Sequence, residues 1–270
     1  MSLRLGLPAV IGLLGLTIAF SPASGATLRV GGTGAVTELL GQLAPAFKED
    51  SGITLEVIAG LGTSGANEAL ADGKLGIAFA GRDLRDKERT KGLSVSTSFR
   101  TPFGLVTSRE GPDGLKSTEI AALYGADNPK WPDGTPILIT LRPVDESDNI
   151  VLGDLFPGLT GVLQQLRKRR DLSVAATDQD NADLAEKLKG SLSSATLTQI
   201  TTEKRKLKFV SIDGVAATLE NYQNGSYPYG KSVYVVVPSA ISPQAEAFLA
   251  FLAKPETRLL LRDAGMIAGK

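Results

Sequence analysis

Residues 27–80 read TLRVGGTGAVTELLGQLAPAFKEDSGITLEVIAGLGTSGANEALADGKLGIAFA, and the fold class follows from this stretch. Thr27 to Val30 is a short β-prone run stopped by Gly31-Gly32-Thr33-Gly34. From Ala35 to Asp50 the apolar residues Val36, Leu39, Leu40, Leu43, Ala46 and Phe47 recur at helical spacing, and Ser51-Gly52 ends that helix. Ile53 to Ala59 reads as a strand rich in β-branched residues. After Gly60-Leu61-Gly62-Thr63-Ser64-Gly65 comes a helical stretch, Ala66 to Asp72, and then a third apolar strand, Gly76 to Ala80. Strand, helix, strand, helix, strand is the pattern of a parallel sheet with crossover helices.

The rest of the chain is mixed in the same way. Strands are expected at Phe103–Thr107, Pro136–Leu141, Leu207–Ile212 (closed by Asp213-Gly214) and Ser232–Val237. Helices are expected at Ser117–Tyr124 with Ser117 as cap, at Asp180–Leu188, and as one helix or a pair over Gln244–Gly265. A long helical region is also expected after Asp148, ending in Arg167-Lys168-Arg169-Arg170; that cluster reads as a solvated helix end favoured by the macrodipole. No internal repeat and no flexible linker stands out, so any second lobe is joined by ordered crossovers.

Composition removes several function classes. The 270 residues hold 29 basic and 29 acidic side chains, no histidine and no cysteine. Thiol nucleophiles, disulfides, histidine acid–base chemistry and nearly every zinc, copper or haem site are therefore excluded, and no cofactor is expected. A balanced charge also argues against a duplex nucleic-acid partner, which requires a basic excess. At the N-terminus, Arg4 precedes an apolar run from Leu5 to Phe20, followed by the small-residue exit Ser24-Gly25-Ala26. The run is about 16 residues, short of the ~20 that a spanning helix needs, so residues 1–26 read as a cleaved signal peptide and the protein as periplasmic.

Three places have the residue types of a binding site. The loops Gly31-Gly32-Thr33-Gly34 and Gly62-Thr63-Ser64-Gly65 each pass from a strand into a helix, so their amides and hydroxyls lie at the carboxyl edge of one sheet. Neither is a P-loop or a dinucleotide fingerprint. Arg142, ahead of Asp145-Glu146-Ser147-Asp148, can clamp an anion with its planar fork or be held by those carboxylates. Arg82-Asp83, after the third strand, carries the same two readings: facing a ligand, or a local ion pair.

The order of Gly32-Thr33-Gly34, Ser51-Gly52, Gly62-Thr63-Ser64-Gly65 and Ile77-Ala78-Phe79-Ala80-Gly81-Arg82-Asp83-Leu84 resembles the periplasmic phosphate-binding proteins of ABC transporters. So do Leu123-Tyr124-Gly125 with Trp131, Val210-Ser211-Ile212-Asp213-Gly214, Gly225-Ser226-Tyr227-Pro228 and Phe248-Leu249-Ala250-Phe251-Leu252. The resemblance implies a type II periplasmic-binding-protein fold: two α/β lobes, hinge crossovers and an interlobe cleft. Lobe 1 would be residues 27–101 plus 231–270, and lobe 2 residues 102–230. It implies ligand contacts from Thr33, Gly34, Ser64 and Arg142; Thr63 and Ser147 are expected as further donors, and Arg82 as a replacement charge. The family's proton-accepting Asp falls on Gly81 here, and its Ser-Gly-Thr is replaced by Glu146-Ser147-Asp148. The expected ligand is accordingly a phosphate-like oxyanion or an organic anion, captured by a monomer for an inner-membrane ABC transporter permease. One rival is a binding-protein fold that presents its ligand to a sensor or periplasmic partner. The other is a hydrolase using Ser64 or Ser147, which is disfavoured because neither begins a Ser-x-x-Lys and the chain has no histidine.

Overall fold

The computed structural model describes residues 25–111, 114–169 and 172–269. All of the expected signal peptide except Gly25 and Ala26 lies outside those residues, as does Arg170 of the basic cluster. No helix among the described residues is long and apolar enough to cross a membrane.

In chain order the strands are β1 (Thr27–Gly32), β2 (Thr54–Ile58), β3 (Ile77–Ala80), β4 (Leu93–Thr107), β5 (Leu138–Leu141), β6 (Ser173–Val174), β7 (Ser191–Thr196), β8 (Lys208–Phe209), β9 (Gly230–Pro238) and β10 (Ile267–Ala268). The helices are α1 (Thr37–Ser51), α2 (Gly62–Ala71), α3 (Asp86–Arg89), α4 (Ile120–Gly125), α5 (Ser147–Leu155), α6 (Leu159–Leu166), α7 (Asp178–Lys187), α8 (Leu197–Thr202), α9 (Leu219–Gln223), α10 (Pro243–Ala253) and α11 (Pro255–Asp263). The strand order is β2-β1-β3-β9-β4-β7-β5-β6, with β8 and β10 also paired to β4. β1 pairs in parallel with both β2 and β3, as the opening stretch requires. β5 is likewise parallel to β6 and β7, so the second half repeats the crossover logic.

Two α/β lobes result, of the type II periplasmic-binding-protein class, each with its own core. In the first, α1 buries Leu39, Leu40, Leu43 and Phe47 against β1, β3 and the C-terminal helices. The Phe47 and Phe248 rings meet edge to face at 4.8 Å between centroids. Burial of one such ring stabilises the lobe by about 1.5–3 kcal/mol. Gly52 closes α1 in the left-handed conformation at φ 72°, where a side chain would be strained. The second core gathers Phe103, Leu105, Tyr124, Trp131, Phe156, Leu192 and Tyr227. β4 serves both halves: it pairs with β9 and β10 over its first part, and with β7 and β8 over its second.

Several elements differ from the sequence reading. The long helical region after Asp148 breaks at Phe156-Pro157-Gly158 into α5 and α6, because Gly158 takes φ 84° and proline cannot continue the first helix. Ser117 does not cap its helix; its backbone amide donates to Asp213 Oδ1 at 2.9 Å. The strand expected over Leu207–Ile212 is only Lys208–Phe209. β7, with sequence SLSSAT, has no apolar alternation and is nonetheless fully buried. Its hydroxyls are satisfied by neighbours: Ser191 donates to the Ala185 carbonyl, Ser193 to Asn181 Oδ1 and Ser194 to Asp148 Oδ2. Small side chains let α7 lie close on this strand, and the hydrogen bonds offset the desolvation that buried hydroxyls would otherwise suffer.

Candidate functional site

The lobes meet where β1 gives way to a 3₁₀ turn, Gly34–Val36, opposite the N-terminus of α7. Thr33 is 2 % exposed; its amide donates to the Phe79 carbonyl at 2.8 Å and its Oγ1 to Asp178 Oδ2 at 3.3 Å. Beside it the Gln179 amide donates to the Gly34 carbonyl at 2.9 Å. A Cβ on Gly34 would lie 2.6 Å from Asp178 Oδ2 and from Gln179 Oε1, so only glycine admits the other lobe this closely.

Arg142 follows β5 and is 3 % exposed. Its Nη1 donates to the Ala175 carbonyl at 2.7 Å, and its Nη2 to Asp178 Oδ1 at 3.1 Å, with Glu146 Oε2 3.4 Å from the same nitrogen. Asp178 therefore offers one carboxylate oxygen to the second lobe's guanidinium and the other to the first lobe's hydroxyl. Glu146 reaches the second glycine loop: a Cβ on Gly62 would be 3.3 Å from its Oε1. Burial pushes the Glu146 carboxyl up against the opposing pull of Arg142, and Asp178 and Asp148 add to the rise.

Lys231, at the start of β9, is fully buried and ion-paired to Asp148 in the first turn of α5. Asp148 also accepts from Ser194 Oγ at 3.1 Å. Burial alone would raise the Asp148 carboxyl; Lys231, Arg142 and the Ser194 hydroxyl outweigh it, and Asp148 stays ionised. Burial likewise disfavours the Lys231 ammonium, and Asp148 and Asp178 more than restore it. Gly81 makes this packing feasible, since a Cβ there would be 2.6 Å from Ser147 Oγ and 2.8 Å from Lys231 Cε. The junction thus gathers two cations and three carboxylates within the protein itself.

Of the residues expected to hold a ligand, Thr33, Gly34, Arg142 and Ser147 come to this junction. Thr63 lies next to it and is used internally, its Oγ1 accepting from the Gly81 amide at 2.9 Å. Ser64 and Arg82 are directed elsewhere. Arg82 forms a two-pronged pair with Glu88, both contacts at 2.8 Å, and donates to Ser64 Oγ at 3.1 Å. Burial would raise the Glu88 carboxyl, but Arg82, the Arg85 amide and Asn67 bring it down to about 2. Asp178, Gln179 and Lys231 were not legible as site residues. Thr177 and Asp180 form a capping box, which would have started the helix at Asp178, and a lone lysine opening the apolar run Ser232–Val237 needs a buried partner.

A groove of about 540 Å³ runs between the lobes beside this junction, lined by Thr37, Glu38 and Gln42 on one side and Gln179, Glu203 and Arg205 on the other. Among the described residues no group of three or more acidic side chains could hold a metal ion.

A Clostridium perfringens protein solved with bound phosphate, and assigned as a phosphate ABC transporter substrate-binding protein, superposes with a TM-score of 0.76 at 18% identity, covering 90% of this chain and 100% of that one. An ABC-type phosphate transport receptor from Vibrio cholerae matches at 0.62 and 15% identity over 90% and 100% of the two chains. The Azotobacter vinelandii periplasmic molybdate-binding protein matches at 0.58 and 14% identity, with the same coverage. At these identities the likeness is one of fold. No curated protein sequence matches the chain. The family model for the PBP superfamily domain matches residues 19–256, and this makes the chain a member of the PBP superfamily.

Proposed function

We propose that the protein is an exported solute-binding protein that captures a small anion between its lobes and presents it to an inner-membrane ABC transporter. Residues 1–26 would be its cleaved signal peptide, residues 27–101 with 231–270 one lobe, and residues 102–230 the other. The observation that carries this reading is the Asp178 carboxylate, held between Thr33 Oγ1 and Arg142 Nη2. A junction that receives a carboxylate in this way has the donors to receive a solute oxyanion, and each charge-assisted hydrogen bond contributes about 1.5–3 kcal/mol. Lys231 adds a second cation close by, and the names of the Clostridium, Vibrio and Azotobacter proteins point to oxyanions as the ligand class. The mechanism is closure about the β4 and β9 crossovers, in which ligand shifts the population toward the closed state.

The test is a thermal-shift screen of the purified protein against phosphate, sulfate, molybdate and small organic acids. A ligand at a hundred times its Kd adds about 2.7 kcal/mol to stability, a shift of several degrees. No shift with any of them counts against capture of an anion. It would favour the second reading, a scaffold or sensor component that presents its closed surface to a periplasmic partner. The observation on that side is that Thr33, Arg142 and Lys231 are all paired within the chain.

A further inference from the structure

We propose that Asp178 is a built-in stand-in for the ligand: its carboxylate takes the anion donors of both lobes and holds the cleft shut with no solute present. The proposal rests on the reading of this junction as an anion site, and three features of the chain converge on it. First, Asp178 is 6 % exposed, and its two oxygens are divided between Arg142 of the second lobe and Thr33 of the first. Second, its neighbour Gln179 donates to the Gly34 carbonyl, so the α7 N-terminus docks on the first glycine loop through side chains of two consecutive residues. Third, the glycines that would cradle a ligand are each approached by this chain's own side chains. Gly34 admits Asp178 and Gln179, Gly62 faces Glu146, and Gly81 admits Ser147 and Lys231.

A closed cleft without ligand follows from the same contacts. Closure in a solute-binding protein is ordinarily driven by differential contacts that the ligand makes with the two lobes. Here those contacts already exist within the chain, and the Lys231–Asp148 pair adds another between the crossover and α5. A solute anion must therefore displace Asp178 from Thr33 and Arg142, and its apparent affinity is lowered by the fraction of molecules that are self-closed. Glu146 and Asp148 beside the displaced carboxylate favour a singly charged anion over a dianion.

Small-angle scattering of the purified protein separates this device from the solute-binding reading. The ligand-free wild type is expected to fit the closed structure, with no compaction when inorganic phosphate or molybdate is added. Asp178→Ala and Thr33→Val are each expected to shift the profile to a larger radius of gyration. If the cleft takes anions, Asp178→Ala also gains roughly 10- to 100-fold in affinity for the one that binds. A wild type that is open alone and compacts with phosphate or molybdate overturns the stand-in and upholds the solute-binding reading. Variants as compact as wild type also overturn the stand-in. An Asp178→Ala protein that opens yet binds no anion removes the anion reading and the stand-in with it, leaving Asp178 a plain interlobe latch. Thr33→Val is nearly isosteric and the wild-type profile needs no substitution, so the result does not depend on Asp178→Ala folding.

Discussion

Arg82 and Arg142 each follow a buried strand, each precede an acidic stretch, and each leave Nε without a hydrogen bond. Their guanidinium groups end in different company. Arg82 is satisfied from its own neighbourhood: Glu88 six residues away, the Asp83 carbonyl, and Ser64 on the adjoining helix. Arg142 reaches 36 residues along the chain to Asp178, which then bonds Thr33 a further 145 residues distant in the other lobe. One arginine fastens a loop to its own lobe, and the other belongs to a chain of contacts that joins two lobes. The lesson is that residue type and strand-end position nominate both equally. What separates them is the second partner of the facing carboxylate: Glu88 accepts only from within its own lobe, whereas Asp178 also accepts from Thr33 of the other.

The sharpest way to strain this comparison is at the crossover. Lys231→Ala leaves Asp148 as an uncompensated buried charge, and equilibrium urea unfolding should register a loss near 5 kcal/mol. Lys231→Met combined with Asp148→Leu should recover most of it, because the burial penalty of both charges disappears. A Lys231→Ala protein of wild-type stability would mean the pair is solvated and the junction open.

Next come the two arginines themselves. Arg82→Ala should cost about 3 kcal/mol in unfolding free energy, through the orphaned Glu88, while leaving the solution scattering profile and any anion affinity unchanged. Arg142→Ala should also lower unfolding free energy, through the orphaned Asp178, but unlike Arg82→Ala it should abolish anion-induced thermal shifts, with Arg142→Lys only partly restoring them. Interchanged phenotypes would reverse the assignment of the two arginines.

The pH dependence sharpens the Arg82 side. The Glu88 carboxyl lies at about 2 in the folded protein against 4.5 ordinarily, so the folded state binds its proton more weakly than the unfolded chain does. Its contribution, on the order of 3 kcal/mol, is fully present above pH 4.5 and fades as pH falls toward 2. Urea midpoints across that window should fall steeply for wild type and less steeply for Glu88→Gln. Equal slopes would detach Glu88 from acid sensitivity. The smallest effect is expected at Ser64, exposed and accepting only from Arg82: Ser64→Ala should cost under about 1 kcal/mol and leave anion binding untouched. A lost thermal shift in that variant would return Ser64 to the ligand site.

The sequence alone determined the strand and helix alternation of residues 27–80, the two glycine loops at one sheet edge, the exclusion of histidine and cysteine chemistry, and the nomination of Thr33, Gly34 and Arg142. These are readable because periodicity, glycine turns and composition are local quantities, carried within one or two dozen residues. β7 escaped because its burial is satisfied by Asn181 and Asp148 from other elements, and leaves no apolar period on SLSSAT. Asp178 and Lys231 escaped as site residues for the same reason. Asp178 is one of several acidic residues near a helix start, and Lys231 is a charge opening an apolar run, until folding brings Thr33, Arg142 and Asp148 against them. The tertiary structure decided which donors would be occupied from within the chain, because pairing of buried charges is settled by distance in space, and that distance is fixed only when both lobes have packed.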